Sequence, residues 1–131
     1  MSRIDHVGVI VGNIDQAKRF LQHVFGLELV SEGESVETGA SWAFFQWGEI
    51  QIELLEITDP GNLRLRVGDA TLPKIEHIGV AVDDLPVFIE EARTRGVRTT
   101  TEKPYAVNEW RYYFTEAAST DGIVYQFFSK A

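Results

Sequence analysis

The sequence predicts an α+β domain built from two tandem βαβββ modules. Three observations predict it. The stretch Ile4-Asp5-His6-Val7-Gly8-Val9 returns 71 residues later as Ile75-Glu76-His77-Ile78-Gly79-Val80. Each copy runs into one helical pattern that ends at a glycine, and paired strand signals follow each helix. A repeat of this kind marks a unit that buries its apolar surface against its copy. The 131 residues are therefore read as one domain, with module 1 over 1–57, a linker over 58–74 and module 2 over 75–131.

The elements follow in chain order. The first strand leads to Asn13, a good N-cap with Gln16 three residues on, then Ala17, Phe20, Leu21 and Val24 at helical spacing and Gly26 as a stop. Leu27-Glu28-Leu29-Val30 reads as a second strand, and 42–47 and 50–55 as a third and a fourth. In the linker, Asp59-Pro60-Gly61, Gly68-Asp69 and Pro73 signal turns, and no amphipathic helix is expected there. The second module repeats the scheme: Asp83-Asp84 precede Leu85, Phe88, Ile89 and Ala92, with Gly96 as the stop. Val97-Arg98-Thr99-Thr100 answers the second strand, and 110–114 and 123–128 answer the third and fourth.

Composition narrows the function. A net charge of −8 argues against a nucleic-acid surface, which needs clustered Lys and Arg. A small-molecule substrate is the better expectation. Without cysteine, disulfides and thiolate ligands are excluded, so a metal would sit on nitrogen and oxygen donors. No apolar run approaches the ~20 residues of a membrane span. No membrane partner is expected, and the reading is a cytoplasmic protein.

Strand alternation then places the candidate site. Val7, Val9 and Val11 form the bulky set beneath the first helix, which turns His6 and Gly8 to the opposite face. Ile78, Val80 and Val82 do the same in the second copy, leaving His77 and Gly79 opposite. In the fourth strand Ile50, Ile52 and Leu54 face the helix, so Glu53 joins the histidines' side. Alternation is silent in the last strand, apolar on both faces, but aligning the halves puts Gln126 opposite Glu53. Two imidazoles, a carboxylate and an amide oxygen make an N/O donor set for a divalent metal. His23, with no counterpart in the second helix, reads as a surface residue.

These runs, with Ile52-Glu53-Leu54-Leu55-Glu56 and Gly122-Ile123-Val124-Tyr125-Gln126, resemble the vicinal oxygen chelate superfamily, most of all its methylmalonyl-CoA epimerase and lactoylglutathione lyase group. The resemblance implies an eight-stranded open cup, glyoxalase-like, around one metal held by His6, Glu53, His77 and Gln126. The ion would be Co, Ni, Zn, Mn or Fe. It also implies a homodimer, which would cover exposed strand edges.

The expected chemistry is isomerisation or epimerisation through an enolate, on a small carbonyl or acyl-thioester substrate. The family generally has a glutamate as fourth ligand; here Gln126 stands there and cannot accept a proton. Glu53 is then the one carboxylate at a ligand position and the expected catalytic base, with Glu49 and Glu109 as unplaced alternatives. Among the aromatics, Phe45, Trp47 and Tyr112 are expected to line the substrate pocket, and Arg64 and Arg66 could meet phosphates. Two other readings stay open: a non-haem Fe(II) dioxygenase on His6, His77 and Glu53, and a metal-free binding protein similar to the bleomycin-resistance members.

Overall fold

The computed structural model describes residues 2–131. The described residues form β1 (Ser2–Ile10), α1 (Ile14–His23), β2 (Glu28–Ser35), β3 (Ala40–Trp47), β4 (Ile50–Ile57), α2 (Pro60–Val67), β5 (Lys74–Val82), α3 (Leu85–Thr94), β6 (Tyr105–Val107), β7 (Trp110–Phe114) and β8 (Val124–Lys130). They divide into two compact units: His6–Glu76, and the residues up to Asp5 together with His77–Ala131. None of their helices is long and apolar enough to cross a membrane.

In the unit His6–Glu76 the strand order is β2-β3-β4-β1. β1 runs parallel to β4 with His6 opposite Gln51 and Gly8 opposite Glu53, and β3 is antiparallel to both β4 and β2. As expected, α1 starts at Asn13, whose side chain accepts a hydrogen bond from the Gln16 N–H at 3.0 Å. Its apolar stripe, Ile14, Ala17 and Leu21, packs on Val9, Val11, Ala43, Phe45, Ile52 and Leu54. Gly26, at φ +66°, ends the helical run in a conformation that costs glycine nothing.

The other face of this sheet is also covered, and the linker covers it. Ile10, Ala40, Leu55 and Ile57 are buried against Val67, with Leu63, Leu72 and Trp42 around them. The expectation that 58–74 lacks a helix is corrected by α2. Asp59-Pro60-Gly61 reads as a turn, yet the same residues open a helix. The Asp59 carboxylate accepts from the Asn62 N–H at 2.8 Å, and proline is tolerated in the first helical turn, where its missing N–H is not needed. Leu63 and Val67, four residues apart, then face the sheet. Full burial of a side chain such as Val67 contributes about 1.5–3 kcal/mol, and the half-buried Leu63 contributes less.

In the second unit the order is β5-β8-β7-β6. β5 runs parallel to β8 with Gly79 opposite Gln126, and β7 is antiparallel to β8 and β6. α3 is capped by Asp84, which accepts from the Val87 N–H. Leu85 and Ile89, each 2% exposed, pack with Val80, Val82 and Tyr113, beside Phe88 and Phe127. The expected strand at 97–100 is reduced to one bridge, Thr99 with Thr115, and the edge is filled instead by β6. The threonines explain it: Thr99 Oγ1 donates to the Thr101 carbonyl and Thr101 Oγ1 to the Lys103 carbonyl, local bonds that compete with a ladder.

Candidate metal centre

In the unit His6–Glu76, parallel pairing of β1 and β4 sets His6 and Glu53 side by side. Gly8, two steps from His6 on the same face, lies opposite Glu53 in the register and offers no side chain to separate them. Phe44 on β3 is opposite Glu53 on its other side and meets the His6 ring edge-on, at 5.3 Å between centroids and 89° between planes. His6 is 3% exposed and Glu53 is 9% exposed. A carboxylate so placed is costly without positive charge nearby.

The distance between the two groups is informative. His6 Nε2 and Glu53 Oε1 stand 3.5 Å apart, at the outer edge of a hydrogen bond. Two donors each about 2.0–2.2 Å from a tetrahedral Zn-type cation would stand about 3.4 Å apart. Residue types, burial and spacing in this unit therefore fit a divalent metal.

The second unit builds the same arrangement from the repeat. His77 is 2% exposed; Gly79, two steps on, lies opposite Gln126; and Phe114 on β7 lies opposite Gln126 on its other side. The Phe114 ring meets His77 edge-on at 5.3 Å and 75°, close to the Phe44–His6 contact. Strand by strand, His77 answers His6, Gln126 answers Glu53, and Phe114 answers Phe44. The difference is chemical: the Gln126 amide offers an oxygen to a cation but no site for a proton at neutral pH.

The pocket aromatics divide. Phe45 is fully buried in the core that faces α1 and cannot line a pocket. Trp47 shares its face; it is 45% exposed and lies tilted over Phe25, 5.2 Å away. For Phe45 the expected role is corrected, while Tyr112 lies on the His77 face, edge-on to Phe114 at 5.6 Å. Phe44 and Phe114, which no expectation singled out, are the rings that touch the histidines. Glu49 is exposed in the turn after β3, and Glu109 is exposed and paired with Lys130 at 3.2 Å. Arg66 is engaged by both oxygens of Glu76, whereas Arg64 and His23 are exposed.

Comparison with known proteins accords with this construction. The family model described as Glyoxalase/Bleomycin resistance protein/Dioxygenase superfamily matches residues 5–114. Among curated proteins, an uncharacterized protein, YqjC, of Bacillus subtilis is 38% identical over 56 residues, 43% of this chain and 40% of its own length. The chain thus spans well under half of that relative. A probable lactoylglutathione lyase of Vibrio parahaemolyticus is 29% identical over 76% of this chain and 71% of its own, and a mitochondrial methylmalonyl-CoA epimerase of Bos taurus is 23% identical over 79% and 59%. Two solved structures are similar throughout. A hypothetical protein from Bacillus halodurans C-125 shares 26% identity at a TM-score of 0.85, covering 99% of this chain and 95% of its own. A Streptomyces coelicolor methylmalonyl-CoA epimerase variant in complex with 2-nitronate-propionyl-CoA shares 22% at 0.85, covering 98% and 97%. The eight strands and three helices thus make the expected glyoxalase-like α+β fold, and the chain belongs to the glyoxalase/bleomycin resistance protein/dioxygenase superfamily.

Proposed function

We propose that this chain is a metal-dependent enzyme that moves a proton next to a carbonyl, on a small carbonyl or acyl-thioester substrate, and that it works as a cytoplasmic homodimer. In this reading His6, Glu53, His77 and Gln126 hold one divalent ion, and Glu53 is also the base. The observation that carries it is the 3.5 Å approach of His6 and Glu53 in a buried setting, with a second buried histidine at the equivalent step of the repeat.

When bound, a divalent metal polarises a substrate carbonyl and stabilises negative charge as the neighbouring C–H loses its proton. The chain's own residues set the rest. The imidazoles bind as neutral donors, with Phe44 and Phe114 packed edge-on against them. Glu53 takes the proton and can return it. Gln126 cannot, so the geometry favours one base working on one face of the substrate over two opposed carboxylates.

The test uses full-length protein purified without a histidine tag. Stoichiometric metal is expected by elemental analysis. His6→Ala and His77→Ala are expected to lose it while keeping the wild-type circular dichroism. Glu53→Gln is expected to slow exchange of a substrate α-proton into D2O, followed by NMR, by about 10²-fold or more. Full metal content in both histidine variants would reject the reading.

A further inference from the structure

The two units use the histidine-bearing face of the sheet differently. In the unit His6–Glu76 the end of this face away from the histidine is closed: Ile10, Ala40, Leu55 and Ile57 are 0–7% exposed beneath α2, with Trp42 packed beside them. The repeat puts Ala81, Trp110, Phe128 and Lys130 at the matching positions of the second unit. Trp110 is 39% exposed there, and the edge residues opposite β7, Tyr105 and Val107, are 38% and 39% exposed.

This open face is a row of rings that starts at the histidine. Phe114 touches His77 and meets Tyr112 edge-on; Tyr105 stacks on Tyr112 at 5.1 Å and 20°. Trp110 and Phe128 continue it, edge to face at 5.7 Å, and the Lys130 ammonium lies 5.2 Å from the Trp110 ring centre. The row ends at a cavity of about 520 Å³ bordered by Ala81, Trp110, Phe128, Lys130, Arg3 and Asp83.

We infer that this row binds a flat aromatic group of the substrate, carried beside the carbonyl on which the chemistry acts; the inference rests on the function proposed above. Three features choose this occupant. The row is continuous with His77 through Phe114, so a group lying on it belongs to a molecule whose oxygens reach the metal ligands. The cavity falls in the size range of small-molecule sites, about 300–1,000 Å³. And at the positions where the first unit buries Ala40 and Leu55 beneath α2, the second carries Trp110, 39% exposed, and Phe128, beside the 38% exposed Tyr105, and ring faces and edges favour a planar π partner. The two cations need no anionic ligand: Arg3 pairs with Asp5 at 3.3 Å and Lys130 with Glu109 at 3.2 Å.

The experiment compares phenylglyoxylate with pyruvate, two 2-oxo acids with the same chelating oxygens and a phenyl ring in place of a methyl group. Both are titrated by calorimetry into Co(II)-loaded full-length protein, with the visible Co(II) bands reporting whether the oxygens reach the metal. Phenylglyoxylate is expected to bind at least tenfold tighter. In Trp110→Ala and Tyr105→Ala that ratio is expected to fall severalfold, with an unchanged circular dichroism spectrum. Equal affinities in the wild type, or a ratio unchanged in both variants, would overturn the inference. So would a dimer, seen by sedimentation, that shields the row and separates in Trp110→Ala. Should the protein fail to take up Co(II), the proposed function fails. The row is then judged by tryptophan-fluorescence quenching of the metal-free protein, where preference for the aryl acid upholds it and its absence refutes it.

Discussion

Gln126 sets the charge of the proposed centre. A divalent cation held by two neutral imidazoles, one carboxylate and one amide keeps a net charge of +1, which attracts the oxygen on which negative charge develops. A second carboxylate would cancel it. Gln126→Glu is therefore expected to tighten metal binding by about tenfold or more, measured by competition with a chromophoric chelator, and to weaken binding of an anionic 2-oxo acid. Unchanged metal affinity would place Gln126 away from the ion. Proton competition adds a direction: since both imidazoles must be unprotonated to bind, affinity should decline as pH is lowered. Legibility at this scale depends on alternation. His6, His77 and Glu53 sit in strands with one apolar and one mixed face, and period two gave their side at once. Trp42-Ala43-Phe44-Phe45-Gln46-Trp47 is apolar in both phases, so sequence could not choose between Phe44 and Phe45. The pairing of Phe44 with Glu53 decides it.

Helix α2 is the element that sequence pattern concealed. Its eight residues, PGNLRLRV, bury little beyond Val67 and Leu63, and Leu65 is 86% exposed, so no strong periodic stripe announces it. Its start is fixed by local bonds instead. Besides capping the helix, Asp59 lies against Gly39, where a Cβ would come within 2.6 Å of the Asp59 Cβ, and the Thr58 N–H donates to the Gly39 carbonyl at 2.7 Å. Gly39 also has φ +59°, so a side chain there meets both a strained backbone and a neighbour. Asp59→Ala should remove the cap at a cost of about 1 kcal/mol and lower the melting temperature by about 3–5 °C. A melting temperature within one degree of wild type would show that the turn, not the carboxylate, holds the helix. β6 was hidden for another reason. It has three residues and pairs only with β7 in its unit, and a strand so short carries too few alternations to be read.

At the scale of the whole molecule the duplication was legible because one repeated pattern fixes many residues together. The strands at 42–47, 50–55, 110–114 and 123–128 and the capped helices α1 and α3 follow from it. The edges and the linker, where the copies diverge, did not follow. The same duplication supplies a test of the proposed centre that needs no substrate. A ligand that binds only the native state stabilises it by about 2.7 kcal/mol at a hundred times its dissociation constant, and the gain appears wherever the binding residues must be in place. An ion held by His6 and Glu53 alone would slow amide hydrogen exchange in β1 and β4 and leave β5 and β8 unaffected. An ion shared with His77 and Gln126 should slow exchange in all four strands together, by up to about a hundredfold for amides whose sub-global opening takes the binding residues out of place. His77→Ala should then abolish the added protection in β1 and β4 as well, although those strands contain none of the altered atoms. Protection confined to one unit, or persisting in that variant, would mean that the two half-sites do not serve one metal.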